Sequence, residues 1–280
     1  MENTLDSATC YSHGNLLYGL GHYESAIAQY DKLLAVQSDL CDVWNYRGYA
    51  LEQLGRYPEA LASFGQALKI RPDFSLAWHG KGLVLAKLGR YKDALHSFDQ
   101  TLRIDPHDHQ ARYNRGNALA HLRQYEEALA NFNHVLEANP HDYKAWYSRG
   151  KILVKLNRLP EALTSLGKSL AIRPNCYYAW NHQGIVLSKL GRYEEAIASF
   201  DLSLEHKPNN PDVWYSKARC YALQGNVDLA ATYLHRSILL NPRLYRALLK
   251  VDGDFSHLLH TPQFHALIKR EHWFALNNGR

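Results

Sequence analysis

A 34-residue period runs through nearly the whole chain. Five of the six tryptophans stand on one grid: Trp44, Trp78, Trp146, Trp180 and Trp214, spaced by 34 residues or, across one gap, by 68. Arg112 occupies the place that the gap leaves. A frame opened at Ser7 gives seven contiguous intervals ending at Leu244, with no insertion or deletion. A strict period of this size marks a tandem array, in which each interval is one supersecondary unit that buries its apolar face only against its neighbours.

Each recurring position has a physical reason. Position 8 of the interval is Gly14, Gly48, Gly82, Gly116, Gly150 and Gly184, then Ala218. Position 20 is alanine in all seven, from Ala26 to Ala230. Glycine inside a helix costs about 1 kcal/mol against alanine, so a repeated one needs a packing reason. Small residues at two fixed points let antiparallel helices approach closely. Position 24 is large and apolar: Tyr30, Phe64, Phe98, Phe132, Leu166, Phe200 and Leu234. Position 32 is proline in six intervals, from Pro72 to Pro242, and proline just past a helix stops it. Each interval therefore reads as helix A over positions 1–14, a turn, helix B over positions 18–31, and a stop. Pro58 and Pro160 fall at the start of helix B, where a missing N–H is harmless.

This pattern of Trp, Gly, Ala, aromatic and Pro at positions 4, 8, 20, 24 and 32 resembles the tetratricopeptide repeat family. The resemblance implies an all-α fold, a right-handed superhelical α-solenoid of seven stacked helix–turn–helix units followed by capping helices. The expected organisation is a tail at 1–6, units at 7–40, 41–74, 75–108, 109–142, 143–176, 177–210 and 211–244, and a helical cap at 245–280. The cap segment starts like another helix A at Tyr245, breaks at Asp252-Gly253-Asp254, and offers a short helix around Phe255 and another from Thr261-Pro262. It resembles the tail that follows the last repeat in many bacterial members of the family. Trp273 and Phe274 are candidates for cap packing or an exposed contact.

The resemblance also implies that helix A lines a concave groove. At 100° per residue, positions 4, 8 and 11 share one arc of helix A, and positions 2, 5, 9 and 13 lie roughly opposite. Position 5 reads Tyr11, Asn45, His79, Tyr113, Tyr147, Asn181 and Tyr215. Position 9 includes Asn15, Tyr49, Leu83, Asn117, Lys151, Ile185 and Arg219, and position 13 adds Lys87, Lys155 and Lys189. Tyrosine offers large contact area with a polar tip, and asparagine pairs with an extended backbone. These residues are the expected partner-binding set. The competing reading is that the tyrosines pack between adjacent A helices.

Charge is partitioned between the helices. The net charge is +5, yet the A segments sum to +9, and unit five alone carries Lys144, Arg149, Lys151 and Lys155. An acidic or carboxylate-bearing partner segment is the expected ligand, steered by this potential. If the position-7 cations (Arg47, Lys81, Arg115, Arg149 and Lys217) pair with neighbouring acids at the helix flank, then Lys87, Lys151, Lys155, Lys189 and Arg219 remain for a ligand. Some relatives hold a partner's C-terminal carboxylate with Lys at position 5 and Asn at 9, then Asn at 6 of the next unit, then Lys at 2 and Arg at 6. No three consecutive units match that clamp here, so a chaperone C-terminus is not the expected ligand.

No catalytic motif is present: no P-loop, GxGxxG after a strand, HExxH or GxSxG. His107-Asp108-His109 and His141-Asp142 sit at inter-repeat turns, and no helix carries i, i+4 ligands with a supporting carboxylate, so no metal or cofactor is expected. Cys10, Cys41, Cys176 and Cys220 have no disulfide or zinc spacing, which fits a reducing compartment. The first ten residues carry no basic residue and no apolar core follows them, and no stretch is apolar enough to span a bilayer. The expected protein is a cytoplasmic, non-catalytic interaction scaffold or adaptor in complex assembly. One alternative is RNA or single-stranded nucleic-acid binding through the basic, tyrosine-rich groove, against which the modest net charge weighs. Another is a regulatory subunit of an enzyme complex. Self-association is left open.

Overall fold

The computed structural model describes residues 7–269, with side chains over 10–268. Helix pairs follow the period: α1 (Ser7–Gly19) and α2 (Tyr23–Val36), α3 (Cys41–Gln53) and α4 (Tyr57–Ile70), α5 (Ser75–Lys87) and α6 (Tyr91–Ile104), α7 (His109–His121) and α8 (Tyr125–Ala138). Then come α9 (Tyr143–Lys155) and α10 (Leu159–Ile172), α11 (Tyr177–Lys189) and α12 (Tyr193–His206), α13 (Pro211–Leu223) and α14 (Val227–Leu240). Among the described residues there is no strand. The chain forms two compact bodies, Met1–Pro140 and His141–Arg280. In each body the hairpins stack as an all-α solenoid, each A helix packing against its own B helix and, as α3, α5, α7, α11 and α13 do, against the B helix before it.

Helix A ends one residue earlier than its pattern suggests, and helix B starts one earlier. The cause is the turn. Position 15 takes left-handed backbone, with Gly55 at φ 73° and Gly89 at φ 74°, and the reversal closes before position 17. Pro58 and Pro160 sit in the first turn of their helices. Helix B stops because the residue before the position-32 proline is extended, as at Arg71 (φ −132°, ψ 93°), where proline disfavours α geometry in its predecessor.

In each body the position-24 side chain packs against the small residue at position 8, a ring against glycine at Gly14, Gly48, Gly82, Gly116 and Gly184. Phe98 is fully buried, and a Cβ on Gly82 would stand 2.6 Å from its Cε1. The tryptophan grid pins one unit to the next. Trp78 Nε1 donates to the Pro72 carbonyl at 2.9 Å, and Trp180 and Trp214 make the same bond to Pro174 and Pro208. Arg112 keeps it, donating from Nη2 to the Pro106 carbonyl at 2.8 Å. Its place in the grid is chemically equivalent, because both side chains offer a flat N–H donor.

After the repeats come α15 (Pro242–Val251), a 3₁₀ turn (Gly253–Leu258) and α16 (Pro262–Lys269). Helix α15 starts three residues before the expected Tyr245, with Asn241 accepting from Leu244 N–H as its cap. Phe255 and Phe264 are fully buried on the last hairpin with Leu234, Tyr245 and Leu249. Trp273 and Phe274 lie outside the described residues.

Candidate functional site

The A helices carry the candidate residues, and packing divides them into three groups. Asn45, His79 and Tyr215 are buried, at 1%, 8% and 8% exposure. For these three the expected ligand-facing role is corrected: they lie inside the stack. A helical wheel treats helix A as having one packed side. Here it also meets the A helix of the next unit, as α3 meets α5 and α11 meets α13. Position 5 thus reaches position 6 one unit on. Asn114 Nδ2 donates to His79 Nε2 at 3.0 Å, while His79 Nδ1 lies 3.2 Å from Asp108 Oδ2. Tyr215 donates to Asp252 Oδ2 at 2.7 Å.

A second group is half-buried and engaged. Tyr30 donates to Asn15 Oδ1 at 2.8 Å, and Tyr49 donates to the Leu76 carbonyl at 2.9 Å. Tyr11 packs edge-on against Tyr46, and Tyr113 lies 5.6 Å from the Phe132 ring. Leu83 and Ile185 pack against core clusters. Asn117 and Asn181 are half-buried, and Asn181 Oδ1 is a buried acceptor without a hydrogen-bond partner.

The cations sort by their partners. Three position-7 residues pair with the preceding B helix: Arg47 with Asp31 and Arg115 with Asp99, both at 2.6 Å, and Lys217 with Asp201. Arg149 Nη1 donates to Ser165 Oγ at 2.5 Å. Lys87 pairs with Glu52. Arg219 is held by Asp252 and Asp254 of the cap. Lys151, Lys155 and Lys189 remain exposed, with no carboxylate in ion-pair reach among the described residues. All three belong to the C-terminal body.

Around Lys151 the surface is aromatic. Its Nζ stands 5.4 Å from the Tyr147 ring centroid, and Tyr147 packs edge-on against Tyr178 at 4.6 Å and His182 at 5.3 Å. Tyr178 and His182 are not among the expected set. The signal for His182 is the one-unit-plus-one offset that joins position 5 to position 6, and Tyr178 stands at position 2, on the side of helix A expected to be open. The Lys151 pKa is lowered, first by desolvation and then by Lys155. A cleft of about 270 Å³ lies next to Lys189, lined also by Ile185, Ser216, Arg219 and Asp254. All four cysteines are free, Cys220 is fully buried, and desolvation raises its thiol pKa. Among the described residues no three of His, Cys, Asp and Glu gather as a metal site, and no helix is long and apolar enough to cross a membrane.

Tetratricopeptide repeat models match residues 11–73, 79–133, 122–175, 147–211 and, in a second model, 187–250. No curated protein matches the chain. Among solved structures, YrrB, described as a tetratricopeptide repeat protein with an unusual peptide-binding site, is 25% identical, with a TM-score of 0.56 over 67% of this chain and 98% of its own. A tetratricopeptide repeat protein from Parabacteroides merdae is 16% identical, with a TM-score of 0.67 over 87% and 97%. The pilF protein of Pseudomonas aeruginosa is 20% identical, with a TM-score of 0.66 over 76% and 97%. The last two carry the fold alone.

Proposed function

Because this chain belongs to the tetratricopeptide repeat family, whose members generally mediate protein–protein interactions, we propose that it is a non-catalytic scaffold that takes an acidic segment of a partner protein on the A-helix face of its C-terminal body. One observation carries the reading. Arg149, Lys217 and Arg219 of that face are tied down within the fold, whereas Lys151, Lys155 and Lys189, with Lys144 beside them in sequence, stand exposed without a carboxylate in ion-pair reach among the described residues. Exposed cations grouped on one side raise the local concentration of an anionic partner and speed its arrival. The aromatic floor beneath Lys151 adds apolar contact area at low entropy cost.

The test is a triple variant, Lys151→Glu, Lys155→Glu and Lys189→Glu, compared with the wild type for retention of partners from the native cell at low salt. The acidic partner is lost from the variant, and raising the salt does not restore it. Equal retention by both proteins sinks the reading. Tight binding of homopolymer RNA with a steep salt dependence would instead favour the nucleic-acid alternative.

A further inference from the structure

The histidine beside these lysines has one ring nitrogen committed and one free. His182 Nδ1 lies 2.9 Å from the Tyr178 carbonyl oxygen. A carbonyl only accepts, so Nδ1 carries the proton and the neutral ring keeps its lone pair on Nε2. The Tyr147 hydroxyl stands 3.3 Å from the same Nδ1, and the two rings meet at 89°. No hydrogen-bond partner engages Nε2 among the described residues. The ring is half-buried on the same floor as Lys151.

The geometry points to an anion site made by Lys151, Lys155 and His182 Nε2, which binds carboxylates of the partner's acidic segment and takes up one proton at His182 as they arrive. This rests on the acidic-partner reading above and adds its chemistry. The groups that bear on His182 are few. From α9 come Lys151, Lys155 and the Tyr147 hydroxyl, and from its own helix comes the Tyr178 carbonyl. Burial, and then the two lysines, hold the His182 pKa below its usual value, and no carboxylate opposes them. Like charges gathered without a counter-charge are relieved when an anion enters. The imidazolium is then favoured, and Nε2–H becomes a donor to the ligand oxygen.

The sign follows from linkage. The bound state holds more protons than the free state, so affinity rises as pH falls. Glutamate side chains stay ionised at pH 6, since their ordinary pKa is about 4.3. The probe is a hexaglutamate peptide blocked at both ends, titrated calorimetrically into the full chain at pH 6 and pH 8. Two buffers of different ionisation enthalpy are used, so that proton uptake is counted directly. Tightening of about fivefold to tenfold at pH 6 is expected, bounded by a factor of ten per pH unit for one proton. The His182→Gln variant should bind at both pH values with the pH dependence lost and no proton taken up. Binding that is flat with pH, or pH dependence that survives in His182→Gln, overturns the proton-coupled site and leaves the scaffold reading standing. No binding at either pH overturns the acidic-partner reading and this site together.

Discussion

Arg219 donates from Nε to Asp254 Oδ2 at 2.8 Å, so a cation at position 9 of the last repeat is answered by a carboxylate of the cap that follows it. Lys151 occupies the same position two repeats earlier and has no such answer. The pair is partly exposed, at 43% and 29%, so water screens it. Asp254→Asn is expected to lower stability by only about 0.5–1 kcal/mol, read as a small shift in the urea midpoint. With Asp252 as its one remaining carboxylate partner, Arg219 should also add modestly to retention of acidic peptides. A loss several times larger would mean that the cap depends on this contact.

Two helical glycines, one on the recurring position 8 and one off it, should respond in opposite directions. Gly82 faces the fully buried Phe98 ring, with Cε1, Cδ1 and Cζ at 2.6, 2.9 and 3.0 Å from an added Cβ. The ring has no room to turn aside, so Gly82→Ala is expected to cost about 1–3 kcal/mol as overpacking. Gly65 lies inside α4 and meets nothing within 4 Å. Gly65→Ala should therefore stabilise by up to about 1 kcal/mol through helix propensity. Thermal denaturation of both variants checks the contrast.

These cases show what a one-dimensional reading can and cannot see. The Gly82 and Phe98 positions are legible because each repeat solves the same packing problem, and periodicity exposes the solution. Arg112 is legible as a gap in the tryptophan grid. That it replaces the indole as donor to the Pro106 carbonyl is not. The candidate face is harder. Lys87, Lys151 and Arg219 look alike in a charge count, and only Glu52 and Asp254, each 35 residues from its cation, tell them apart. A wheel drawn for one helix has no view of a partner in the next repeat. The same blindness puts Asn45, His79 and Tyr215 on an open face when they pack between helices, and it passes over His182.

The turn position that is glycine in five repeats is Arg123 at φ 62° in the fourth and Asn157 at φ 58° in the fifth. Left-handed backbone costs a residue with a Cβ roughly 1–2 kcal/mol, less for asparagine. Glycine gives back part of that through its greater freedom in the unfolded chain. Arg123→Gly should stabilise by about 0.5–1 kcal/mol, and Asn157→Gly by less. Chemical denaturation resolves the ranking, and a destabilised Arg123→Gly would show that the arginine side chain has a stabilising contact of its own.

Asp108 ties together two repeats and should leave a mark on the acid limb of stability. It caps α7, accepting from Ala111 N–H at 2.8 Å, and stands 3.2 Å from His79 Nδ1. Burial pushes its pKa up, but the His79 contact and the N–H groups of Ala111 and Gln110 outweigh burial and hold it below the usual value. The folded pKa is therefore depressed. The stabilisation is fully present above the unfolded value of about 3.9 and is lost as pH falls through the folded one. In Asp108→Asn the cap survives, since asparagine caps as well as aspartate, but the titrating group is gone. Urea midpoints measured from pH 6 downward should thus fall more steeply for the wild type than for Asp108→Asn below about pH 4. Parallel acid limbs would mean that His79 and Asp108 are neighbours without a shared electrostatic stake in the fold.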